Sequence, residues 1–183
     1  MVLWYNSNHD YNFPFETVTI ALFNKYPNPY SRHVESVDTI HREIINLNKI
    51  DQLKTIRLIK KNGKLPKWVS PFLGKISHSW VYELTIIDPI NKEMKCYQRN
   101  LDHTRIIRIE EYTNYKSIDD NMTRVNYRVK FSSGFQKKIG INSKIEDWSH
   151  SKFIENISNT KNGMSYVMKK CQETLSFKRN EKI

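Results

Sequence analysis

The residues of this chain best suited to chemistry are cations with a carboxamide among them, and the chemistry they suit is the holding of a phosphate. Arg57 and Lys61 lie in an extended stretch at a spacing that puts both on one strand face. Lys152 and Asn156 lie in a helical stretch one turn apart. Lys25 is expected in the last turn of a short helix, and His33 follows a proline turn. Brought to one end of a cavity, these groups can bind a phosphate through charge-assisted hydrogen bonds. Left apart, each is an ordinary solvated charge, as most lysines are.

Covalent chemistry finds less to work with. Gly63-Lys64 has no glycine at the phosphate-loop distance upstream, and GxGxxG, HExxH and CxxC do not occur. Cys96 and Cys171 are the only cysteines, too far apart for a disulfide framework and best read as core thiols. Asp102-His103 has the residue types of a base and its orienting carboxylate. Neighbours on a strand face opposite ways, so a turn with local hydrogen bonds fits the pair better. No catalytic residue, metal or cofactor is expected.

A second candidate feature is the run from Lys60 to Lys75. Pro66, Pro71, Gly63 and Gly74 prevent a long helix or central strand there. Trp68, Val69, Phe72 and Leu73 would share one side of a single helical turn, ringed by Lys64, Lys67 and Lys75. Apolar tips with a basic collar suit a membrane interface. The alternative is a loop folded onto the core with its lysines in water.

The elements that must position these residues are legible from periodicity. Residues 2–13 suggest a first strand. Pro14 can open a helix in which Phe15, Val18 and Leu22 recur at helical spacing, ended by Pro27. Two strands are expected over 34–44 and 52–61, joined near Asn46-Leu47-Asn48, and four more over 79–88, 92–101, 105–116 and 123–133. The last alternates cleanly: Val125, Tyr127, Val129 and Phe131 one way, Arg124, Asn126, Arg128 and Lys130 the other. Asp88-Pro89-Ile90-Asn91 and Asp119-Asp120 read as turns. Ser143-Lys144-Ile145-Glu146 reads as a capping box opening a long helix. Its stripe is Phe153, Ile157, Met164, Met168, Cys171 and Leu175, with Gly163 a possible bend. The fold class is therefore α+β, a curved antiparallel sheet with a long C-terminal helix, an arrangement that commonly encloses a ligand cavity.

At 183 residues one domain is expected, over residues 1–175, with 176–183 a flexible tail. The net charge of +11 and pI near 9.6 favour an anionic partner, whether nucleic acid, membrane or acidic ligand. A basic nucleic-acid-binding module is one alternative, although no RNP pair, GXXG loop or helix-turn-helix pattern occurs. A lipid-modifying enzyme built on Asp102-His103 is another. The opening Met1-Val2-Leu3-Trp4-Tyr5-Asn6 has the pattern of neither a secretory signal nor an arginine-rich presequence. Asn121-Met122-Thr123 and Asn156-Ile157-Ser158 match the glycosylation sequon by chance on this reading.

Several blocks along nearly the whole chain resemble the PRELI family, and among its members the fungal Ups type. They are Phe23-Asn24-Lys25-Tyr26-Pro27-Asn28-Pro29-Tyr30-Ser31, Asp38-Thr39-Ile40, the run from Arg57 to Pro66, and Arg99-Asn100-Leu101-Asp102-His103-Thr104. Glu110-Glu111-Tyr112, Lys130-Phe131-Ser132-Ser133-Gly134-Phe135 and Glu146-Asp147-Trp148-Ser149 continue them. The resemblance implies a phospholipid transfer protein carrying phosphatidic acid from the outer to the inner mitochondrial membrane across the intermembrane space, in support of cardiolipin synthesis. Carriage of another phospholipid such as phosphatidylserine is the alternative within the family. It also implies peripheral association with the anionic inner membrane and a heterodimer with a small twin-CX9C helical protein that protects the carrier from degradation. By position, the headgroup residues it implies are Lys25, His33, Lys61, Lys152 and Asn156, with Arg57 a weaker addition. The lid would run from Leu65 to Leu73, including Trp68, Val69 and Phe72. Two departures stand out. Lys25 occupies a place that can carry arginine, so the charge is kept without the two-pronged fork. Asn159 stands where a further basic residue can occur, and Lys161 lies on a different helical face.

Overall fold

The structure, a computed structural model, describes residues 2–62, 78–104, 107–133 and 141–180. The expected lid, Leu65 to Leu73, lies outside the described residues. Seven strands form one antiparallel sheet: β1 (Val2–Tyr11), β2 (Val34–Leu47), β3 (Ile50–Asn62), β4 (His78–Asp88), β5 (Glu93–Asn100), β6 (Ile107–Asp119) and β7 (Met122–Ser133). Helix α1 (Phe15–Phe23) follows β1, and α2 (Ile141–Asn180) follows β7. The sheet order is β1-β7-β6-β5-β4-β3-β2, so the chain returns at β7 to pair with its own first strand, with Leu3 opposite Phe131. Helix α1 and the turn after it carry the chain from one sheet edge to the other.

Alternation explains why these segments are strands. In β7, Thr123, Val125, Tyr127, Val129 and Phe131 are buried while Arg124, Asn126 and Arg128 are exposed. The β2–β3 hairpin is closed by Asn48 and Lys49 at φ 52° and 65°, later than the turn expected at residues 46–48. A two-residue loop with positive φ matches the twist of the paired strands, and asparagine tolerates that conformation.

The inner face is covered by both helices. Phe15, Val18, Ala21 and Leu22 of α1 and Met164, Val167 and Met168 of α2 pack on Met94, Tyr115 and Val125. Further along α2, Trp148, Phe153 and Ile157 meet Tyr127, Val129 and Phe131. The predicted stripe from Phe153 to Cys171 thus faces the sheet. Helix α2 starts at Ile141, so Ser143 lies inside it and does not cap it; such a motif caps only where the residues before it are not already helical. It runs to Asn180, beyond the domain end expected at residue 175.

Gly163 permits a close approach. A Cβ there would stand 3.0 Å from Oδ1 of Asn28, which is buried in the turn after α1. Asn28 organises that turn, its amide donating to the Lys25 carbonyl (2.6 Å) and its Oδ1 accepting from the Tyr30 N–H (2.8 Å). The Tyr26–Pro27 bond within the turn is cis.

One ion pair lies at the heart of the inner face. Arg57 (β3) and Glu83 (β4) are both buried, with Nε 2.6 Å from Oε1. The remaining guanidinium nitrogens reach the carbonyls of Leu22 and Phe23 at 3.3 and 3.4 Å, and the group sits 5.2 Å from the Phe23 ring centre. Glu83 Oε2 accepts from Gln98 of β5 (2.6 Å). Burying both charges is tolerable because each is paired and hydrogen-bonded, and removing one partner leaves the other uncompensated. Glu83→Ala is therefore expected to cost about 3–5 kcal/mol of stability, read as an earlier urea midpoint with an unchanged slope.

Candidate functional site

Toward the ends of β3, β4 and β5 the side chains between sheet and α2 turn polar, and an open cavity of about 420 Å³ remains. His33, Lys61, Gln98, Lys152, Glu155 and Asn156 line it together with Val81, Ile109, Glu111 and Asn159. A small deeper recess of about 50 Å³ shares His33, Lys61, Gln98, Glu111, Asn156 and Asn159, and adds Lys25, Tyr26 and Tyr127. The shared walls make the two spaces one site with a mouth and a floor.

Each side chain is placed by a local feature of the fold. Lys61 is at the end of β3 on the inward face of Ile59 and Arg57. His33 precedes β2, and its carbonyl accepts the Asn62 N–H at 2.7 Å, tying it to the end of β3. Lys152 and Asn156 lie on the α2 face turned to the sheet. Lys25 is not in the last turn of α1 as expected. The helix stops at Phe23 because Asn24 leaves helical geometry and its side-chain amide takes the Ile20 carbonyl (2.9 Å). Lys25 therefore lies past the helix end, where its chain bends into the floor of the recess.

The site's charges lie at graded depth. Lys25 is only 6% exposed, with Nζ 5.3 Å from the Tyr26 ring centre. Burial draws its pKa down, but Tyr26, Glu83 and Glu111 more than offset this, and the net shift is upward. The floor thus carries a full positive charge at neutral pH. The His33 imidazole is held below its ordinary value, first by burial and then by Lys61 and Lys25. It is neutral at pH 7. Lys152 at the mouth is 39% exposed and bonds Glu155 at 2.6 Å.

Of the residues expected to meet, His33, Lys61 and Asn156 line both spaces, Lys152 only the outer one and Lys25 only the recess. Arg57 lines neither space, because its guanidinium is already taken up by Glu83 and the end of α1. Asn159 lines both, while the exposed Lys161 lines neither. Sequence reasoning missed Gln98, Glu111 and Glu155. The first two were open to it, since they occupy inward positions of β5 and β6 by the two-residue period. Glu111 is near enough to Tyr127 for a hydrogen bond that helps raise the tyrosine pKa, after burial.

Asp102 and His103 are elsewhere. Asp102 accepts the Trp80 backbone N–H, and His103 has φ 58° in a turn. Among the described residues, no cluster of histidines, cysteines and carboxylates could hold a metal, and no helix is long and apolar enough to cross a membrane.

Comparison with known proteins agrees with this architecture. The PRELI-like family matches residues 16–174. The chain is 49% identical to Protein UPS1, mitochondrial, of Saccharomyces cerevisiae, over 94% of this chain and 97% of that one. It is 31% identical to human PRELI domain-containing protein 1, mitochondrial, covering 86% and 71% respectively. Among solved structures, TTHA0849 from Thermus thermophilus superposes with a TM-score of 0.59 at 14% identity, covering 92% of this chain and 99% of that one. The Zhui aromatase/cyclase from Streptomyces gives 0.56 at 10% identity, covering 91% and 94%. At these identities the neighbours share the fold alone, an antiparallel sheet with a long C-terminal helix. By the extent of its match and the identity of its relatives, the chain belongs to the PRELI-like family.

Proposed function

We propose that this chain is a mitochondrial phospholipid carrier that moves phosphatidic acid from the outer to the inner membrane across the intermembrane space and thereby supplies cardiolipin synthesis. The observation that carries this reading is the placement of Lys61, Lys152 and Asn156 on the cavity between the sheet and α2, with Lys25 on the recess that shares its walls. Ammonium groups and an amide at graded depth suit a phosphate that enters from the mouth and descends. Family membership and the mitochondrial names of the relatives support the same reading.

The mechanism involves no covalent step. Basic surface draws the protein to an anionic bilayer, each near-surface charge contributing about 1 kcal/mol. The segment from Leu65 to Leu73, with Trp68, Val69 and Phe72, enters the interface and admits one lipid. The phosphate meets Lys152 and Lys61 first and Lys25 last. Their charges offset the cost of taking an anion out of water. Release at the acceptor membrane reverses the order. The carrier works as a heterodimer with a small twin-CX9C helical partner.

Liposome transfer tests the reading. Lys61→Glu places a carboxylate where the phosphate passes. Phosphatidic acid transfer should fall roughly tenfold or more, as loss of a charged hydrogen bond worth about 1.5–3 kcal/mol implies, while circular dichroism stays native. Unchanged transfer would remove Lys61 from the site, and preferential carriage of phosphatidylserine by the unmodified protein would replace the proposed cargo.

His33 supplies a second prediction. Its pKa in the empty protein is depressed by burial and by Lys61 and Lys25, so the unfolded chain takes up its proton at higher pH than the folded one. Its contribution to stability is thus present above the ordinary histidine range and falls as pH drops through that range. A bound phosphate favours the imidazolium, so its pKa rises on binding and affinity increases toward acid pH. The His33 Cε1–H resonance, titrated with and without a short-chain phosphatidic acid, should show the upward shift; an unmoved midpoint would place His33 outside the phosphate's reach.

A further inference from the structure

Lys152 and Lys61 line the same cavity but are not equivalent. Among the described residues, no carboxylate pairs with Lys61. Lys152 already holds one, with its Nζ 2.6 Å from Oε2 of Glu155 one turn along α2. Glu155 also lines the cavity, beside His33 and Asn156, and is 54% exposed, so the pair stands at the mouth in water's reach. A carboxylate is an odd lining for an anion's doorway unless it does something there.

We propose that Glu155 is the cavity's own competitor for the lipid phosphate: it occupies Lys152 in the empty protein, yields it to the incoming headgroup and reclaims it on release. The proposal rests on the phosphatidic acid reading above and assigns a role within it. A phosphate monoester and a carboxylate offer the same acceptor chemistry to an ammonium group. Binding at Lys152 is therefore an exchange of one anion for another, and its net gain is the difference between them. The displaced carboxylate then faces a phosphate of like charge at close range. Both effects weaken retention without altering the deeper contacts to Lys25 and Lys61. For a carrier that is useful, because a headgroup held too tightly would not leave at the acceptor membrane. Exchange also spares Lys152 from being left bare as the lipid departs, which smooths the outward step.

Titration of the full-length chain with dihexanoyl phosphatidic acid, and in parallel with glycerol 3-phosphate, tests this. Glu155→Gln keeps the shape and removes the charge. It should tighten binding of both ligands about twofold to fivefold, the range an exposed ion pair spans, and slow dissociation of the lipid by a similar factor. The gain should vanish in a Lys152→Gln background, because the two effects are coupled through one ammonium. A purely structural role for Glu155 could not raise affinity. Equal or weaker binding by Glu155→Gln, with the unmodified chain still binding phosphatidic acid, would overturn the proposal and leave the carrier reading standing. Tightening that persists without Lys152 would overturn it too, since Glu155 would then act as a distant charge. Failure of the unmodified chain to bind either ligand would overturn both readings together.

Discussion

The buried guanidinium of Arg57 is the contact on which the site's geometry depends. It binds Glu83 on the neighbouring strand, reaches the last carbonyls of α1, and through Glu83 engages Gln98 on the next strand. Those carbonyls form the negative end of a helix, which a cation complements. One side chain thus fixes three strands against the end of α1. Lys25 follows directly from that end, so its position over the cavity floor is set by a residue that does not line the cavity. The polar interior is costly unless every member is satisfied. Here Arg57 and Glu83 are satisfied by each other, by Gln98 and by backbone, and draw on none of the lysines that line the cavity.

The interior is divided accordingly. Where α1 and α2 both press on the sheet, Val18, Leu22, Met94, Met164 and Met168 exclude water. Beyond the end of α1, among the described residues, α2 alone spans the inner face, and the space between is lined mainly by polar and charged side chains, with Val81 and Ile109 among them. The length of α1 therefore decides where core ends and cavity begins. Asn24, by terminating the helix, and Asn28, by packing its turn against Gly163, draw that boundary.

Much of this was written in the sequence in a form that periodicity reads. The two-residue period of β3 put Arg57 and Lys61 on one face, and helical spacing put Lys152 and Asn156 one turn apart, but which way those faces turn was left open between a cavity and solvent. Nor could the period say that Glu83 would claim Arg57, because the register between β3 and β4 depends on pairing across a long connection. Opposed residues Arg57 and Glu83 are a consequence of that register. The apposition of Gly163 and Asn28 was illegible for the same reason: a glycine in a helix reads as a weak point until the segment that needs the space is seen. Glu111 and Glu155 were passed over because a search for phosphate ligands looks for positive charge, whereas the electrostatics of a reversible site include the anions that stand in when it is empty.

Those anions share the lining with cations and amides. Lys25 offers a compact ammonium rather than a forked guanidinium, and Asn159 a neutral amide. Lys161 adds no charge there, since it lines neither space. The two spaces are lined by Lys25, Lys61, Arg99 and Lys152 against Glu111 and Glu155. Positive charge thus outnumbers negative, and each carboxylate offsets part of the excess. On the proposed reading, an incoming phosphate must displace Glu155 to reach Lys152, whereas among the described residues no carboxylate pairs with Lys61. Retention on that reading is set by exchange among anions at the mouth, where Glu155 and the phosphate compete for one ammonium group.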